Sequence, residues 1–90
     1  MYKKLNKLDE AIEAYDKAIL YNPKDDINYY NKGIALAKQK KYDEAIEAYD
    51  KAFEMDPKNH KVLNNKATIL EKLDRVDEAL ETYTKALNIF

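Results

Sequence analysis

Apolar positions recur along the 90 residues with the period of a helix. Ala11, Tyr15 and Ala18 fall at i, i+4 and i+7, and Ile12 and Ile19 widen that stripe. The surrounding run, Asp9 to Ala18, returns letter for letter as Asp43 to Ala52 and more loosely as Asp77 to Ala86; Pro23 and Pro57 keep the same offset of 34 residues. A fixed offset of this kind marks a repeat protein. Each copy predicts one helix, with carboxylates in its first turn (Asp9-Glu10, Asp43-Glu44, Asp77-Glu78) where the helix dipole favours them. Pro23 and Pro57 end the first two copies, because proline lacks the donor and restricts the residue before it. A second kind of helix lies between the copies, over about Asp26–Gln39 and about His60–Leu73. Tyr29, Gly33, Leu36 and Ala37 share a face of one, and Leu63, Ala67, Leu70 and Leu73 share a face of the other. The unit is helix, short turn, helix, then a proline-marked turn.

With that order of residues the chain resembles the tetratricopeptide repeat (TPR) family. Tyr29, Gly33, Leu36, Tyr42, Ala45, Tyr49, Ala52 and Pro57 fill the family's pattern in one copy, and Leu63, Ala67, Leu70, Val76, Ala79, Tyr83 and Ala86 in the next. The resemblance implies an all-α fold of antiparallel helix-turn-helix repeats, stacked as a short right-handed α-solenoid. It divides a single domain, 1–90, into a partial repeat (1–25), a full repeat (26–59) and a nearly full one (60–90). Small residues let the paired helices approach: Gly33 or Ala67 on helix A faces Ala45 or Ala79 on helix B. Lys32 and Lys66 stand where the family has leucine, and their stems are expected to cover apolar surface. In this register Met1 enters partway through a first helix A, kept only to about Leu5, and the last helix B ends at Ile89-Phe90. Solenoid ends bury their apolar face only against a neighbour. Self-association through Leu80, Leu87, Ile89 and Phe90 is therefore expected.

Composition narrows the function. Sixteen basic and seventeen acidic residues nearly cancel, which argues against a generally basic nucleic-acid binder. The absence of cysteine removes disulfides, thiolate metal sites and cysteine nucleophiles. No signal peptide or membrane span is expected, and the location is read as cytoplasmic. No cofactor, metal or catalytic constellation is expected; the lone His60 reads as a solvated residue at a helix start, and the carboxylates Asp43, Glu44, Glu47 and Asp50 as a solvated helix face. The near-neutral total conceals segregation. Segments 1–8, 26–42 and 60–76 together carry +8, whereas 9–22, 43–56 and 77–90 carry −10.

The family resemblance implies that helices A line the concave groove, so the groove is expected to be basic. Its predicted lining is Ile27, Tyr30, Asn31, Ile34 and Lys38 on one helix, and Lys61, Asn64, Asn65, Thr68 and Lys72 on the next, with Lys3 and Lys4 extending the row. Tyr30 and Ile34, read as apolar residues on the outer face, suit anchor pockets for a peptide, possibly an acidic one. The family's clamp for acidic chaperone C-termini is matched only at Asn31 and Lys61; Asn65 replaces an arginine, so a full clamp is not expected. The expected activity is a non-enzymatic protein–protein interaction. Self-assembly is the alternative, and single-stranded RNA along the Lys/Asn/Tyr row is a minor one.

Overall fold

A computed structural model describes residues 7–88. These form five helices, α1 (Lys7–Tyr21), α2 (Asp26–Lys38), α3 (Tyr42–Met55), α4 (His60–Lys72) and α5 (Val76–Asn88), with no strand among the described residues. Each helix packs on its successor, and α2 makes a slight further contact with α4. The resulting slab measures 48 × 30 × 14 Å, as expected when repeats touch only their neighbours.

The turns explain where the helices start and stop. Asp25 caps α2 by accepting a 3.1 Å hydrogen bond from the Ile27 amide, and Asn59 caps α4 by accepting one of 3.1 Å from Lys61. At the other ends of these helices, Lys40 and Asp74 take left-handed φ angles of 63° and 61°. The Lys41 amide then donates to Leu36 O and that of Lys40 to Ala37 O. Arg75 and Asp74 make the same pair of bonds to Leu70 and Glu71. This is the paired-bond ending that helices usually build with glycine.

The core lies where α2, α3 and α4 meet. Ala45, Ala52, Ala67 and Val62 are fully buried, with Tyr49, Leu36, Leu63, Ile69 and Leu70 nearly so. Ala48, Val62 and Ile69 lie outside the single apolar face per helix read from the sequence. They are buried because a middle helix packs against two others, and Val62 and Ile69 join the cluster formed by α2 and α3. In α1 no residue is buried, although it carries the same ten letters as α3.

Lys32 and Lys66 do more than cover apolar surface. Lys32 Nζ pairs with Asp16 at 2.6 Å and Lys66 Nζ with Asp50 at 2.6 Å, so the same ion pair joins α1 to α2 and α3 to α4. Gln39 adds a 2.6 Å bond from its side-chain amide to Asp9. His60 opens α4 half-buried rather than solvated. The segment Met1 to Leu5, Lys3 and Lys4 within it, and Ile89-Phe90 lie outside the described residues.

Gly33 is the tightest point of the core. A Cβ there would lie 2.5 and 2.7 Å from the Cε1 and Cδ1 atoms of the Tyr49 ring, closer than carbon atoms tolerate. Gly33→Ala gains up to about 1 kcal/mol of helix propensity but forces the buried ring to move, at about 1–3 kcal/mol. The expected result is net destabilisation, read as a lower urea midpoint, with Tyr49 displaced towards the half-exposed position that Tyr83 takes opposite Ala67.

Candidate functional site

Helices α2 and α4 stand side by side on one face of the slab, with α3 behind them. Residues Tyr30, Ile34 and Lys38 of α2 follow each other at i, i+4 and i+8 and so lie along one side of the helix. A concave site of about 270 Å³ opens there, lined by Ile34, Ala37 and Lys38 from α2, by Asn65, Thr68, Ile69 and Lys72 from α4, and by Tyr49 from α3. The Asn65 side-chain amide donates to the Tyr30 hydroxyl at 3.0 Å, which ties the two walls together. Thr68 Oγ1 lies 3.3 Å from the Tyr83 hydroxyl and also donates to Asn64 O. Lys72 Nζ sits 5.9 Å from the centre of the Tyr42 ring.

Of the ten residues read from the sequence, Ile34, Lys38, Asn65, Thr68 and Lys72 meet around this concavity, and Tyr30 joins them through Asn65. Ile27 is exposed at one end of α2, Asn31 is half-buried nearby, and Lys61 and Asn64 are exposed on α4 outside the concavity. Tyr30 and Ile34 are half-buried, packed against the core, instead of standing free on the outer face. The Tyr30 ring centre is 6.1 Å from that of Tyr49, tilted by 47°. The groove floor, Tyr49 and Ile69, was missed by the sequence reading. Tyr49 enters that reading only as a position of the repeat pattern, and the second buried face of α4 has no separate signal there.

Burial, with Tyr30 beside it, pushes the Tyr49 phenol up to about 12. In the unfolded chain a tyrosine titrates near pH 10. Below that pH the two states hold the same proton. Between about 10 and 12 the unfolded chain releases a proton that the folded chain keeps, so this group's contribution falls as pH rises, by roughly 3 kcal/mol in all. Urea unfolding of the wild type and Tyr49→Phe over this range should show a steeper alkaline loss in the wild type, and parallel curves would refute it.

The opposite sides of α2 and α3 form a second concavity with α1. This cleft of about 650 Å³ has an apolar floor of Ile12, Tyr29, Leu36 and Ala48. Asp9, Glu13 and Asp16 stand on the α1 wall and Glu44 and Glu47 on the α3 wall, accompanied by Lys32, Lys41 and Lys51. No cluster of three or more potential metal ligands occurs among the described residues. One repeat further on, Arg75 takes the place of Lys41 and Glu78 that of Glu44. Arg75 Nη2 donates to Glu78 at 2.8 Å, and this pairing holds the Glu78 carboxyl below its usual range. Among the described residues no helix is long and apolar enough to cross a membrane.

A stack of antiparallel helix pairs with a groove along alternate helices defines a repeat protein of the α-solenoid class. A family model described as tetratricopeptide repeat matches residues 2–60 and again 30–90, and the chain belongs to that family of protein–protein interaction modules. A search of curated protein sequences finds no match. Among solved structures, a MamA point mutant is 30% identical with a TM-score of 0.88, over 93% of this chain and 61% of its own. A crystal structure of MamA is 28% identical with a TM-score of 0.91, over 93% and 49%. MamA from Desulfovibrio magneticus RS-1, residue 41 to the end, is 24% identical with a TM-score of 0.89 over 92% and 47%, a likeness of fold alone. The chain spans between about half and three-fifths of the length of these structures.

Proposed function

We propose that the chain acts as a non-enzymatic interaction module that takes an extended, acid-bearing peptide in the groove between α2 and α4. The observation that carries this reading is the placement of Lys38 and Lys72 beside a concavity floored by Ile34, Tyr49 and Ile69. An extended strand laid there meets two ammoniums for its carboxylates, an apolar floor for one anchor side chain, and the Asn65 amide for its backbone. Because Asn65 already donates to Tyr30, the remaining capacity of its side chain is set in direction before a ligand arrives, which lowers the ordering cost of binding.

Lys38→Glu with Lys72→Glu should weaken an acidic peptide at least about tenfold at low salt, since each reversal replaces attraction by repulsion. Fluorescence anisotropy with a labelled acidic peptide measures it, and unchanged affinity rejects the groove. Steeper salt dependence with single-stranded RNA than with the peptide would favour RNA in its place.

A second reading, self-association, draws on the outer side of α5. Val76, Leu80 and Leu87 are 50%, 60% and 70% exposed there, whereas their counterparts Tyr42, Ile46 and Phe53 on α3 are packed against the core. Leu80→Asp with Leu87→Asp should abolish any concentration-dependent dimer in sedimentation velocity. A clean monomer of the unaltered chain at high micromolar concentration rejects this reading.

A further inference from the structure

The cleft between α1 and α3 lies on the side of α2 away from the peptide groove, and its chemistry is the reverse. Five carboxylates face three ammoniums across it, and one of those ammoniums, Lys32, is already held by Asp16. Among the described residues Glu13, Glu44 and Glu47 have no ion-pair partner within 4.0 Å. The carboxylates rise from both walls, while the floor between them is apolar. At about 650 Å³ the cleft falls within the roughly 300–1,000 Å³ usual for ligand sites.

An apolar floor under two acidic walls fits a side chain with an apolar stem and a cationic head, which is the build of lysine and arginine. A bare divalent cation would leave the floor unused, and a phosphate-bearing ligand would meet repulsion from both walls. The next interval along the stack is chemically different: there the carboxylate corresponding to Glu44 is clasped by Arg75. The acidic character is thus left open in the α1/α3 cleft by the residues that line it.

We propose that this cleft is a second binding site, for a short basic segment of another protein, held by apolar contact with Ile12, Tyr29 and Ala48 and by the carboxylates of Glu13, Glu44 and Glu47. It is independent of the groove reading, since it uses the opposite face and a ligand of opposite charge. A chain with both sites joins an acidic segment on one face to a basic segment on the other.

The test is an amide-resolved NMR titration of the whole chain with a short peptide of alternating lysine and alanine around one central leucine. Shifts are expected at Ile12, Tyr29, Glu47 and Ala48 and not at Ile34, Asn65 or Thr68. Glu13→Gln with Glu44→Gln and Glu47→Gln should weaken the peptide about tenfold, whereas the same charge change placed outside the cleft, at Glu10, Glu54 and Glu81, should leave it within about twofold. All six side chains are exposed, and circular dichroism checks the fold; should the triple variant be impaired, Glu47→Gln alone should weaken binding about two- to threefold. Shifts scattered over the surface, or equal effects of the two triple variants, would overturn the proposal. Spermidine reproducing both the shifts and the affinity of the peptide would overturn it as well, assigning the cleft to free polycations.

Discussion

The contact between Gly33 and the Tyr49 ring sets the geometry of everything around it. With no Cβ on α2 at that point, the ring of α3 presses against the helix backbone, and the two helices close to a distance that any side chain would forbid. Tyr49 is thereby fixed with one side in the core and the other beneath the groove, where Tyr30 leans on it and reaches across to Asn65. Core packing and groove shape are consequences of one close approach, so the groove cannot be altered at Tyr49 without disturbing the core.

Much of this was legible because the repeat period is strict. Thirty-four-residue spacing located five helices, their order and their proline-marked ends. Residues that meet only through stacking were less legible. Lys32 and Lys66 looked like misplaced charges, although Asp16 and Asp50 stand at the same offset; their pairing needs one repeat to sit against the next, a distance that local spacing does not encode. Tyr30 and Ile34 read as outward-facing because helical periodicity assigns one buried face. A helix held between two neighbours has more than one. The left-handed turns at Lys40 and Asp74 were invisible for a different reason: neither position carries the glycine that normally signals them.

The candidate groove was half legible. The row Ile34, Lys38, Asn65, Thr68 and Lys72 followed from periodicity and family resemblance, while its floor came from α3 and from the second face of α4. Of the carboxylates around the cleft on the other side, Glu44 and Glu47 read in the sequence as part of a solvated acidic helix face. The concavity of this cleft arises because α1 and α3 flank α2 with their backbones apart, and no pattern within a single helix reports the space between two.

That spacing also orders the chain energetically. Since successive helices supply almost all the contacts, the fold behaves as a zipper whose free energy is a sum over adjoining pairs, and it opens most easily where an adjoining pair is held most weakly. Helix α1 buries no residue of its own, and among the described residues its backbone comes close to that of α2 alone. A segment lying in the acidic cleft would touch both α1 and α3, and so would add a link that the packing of successive helices lacks. The groove on the other face is built from α2, α3 and α4, so its shape depends on two successive junctions at once.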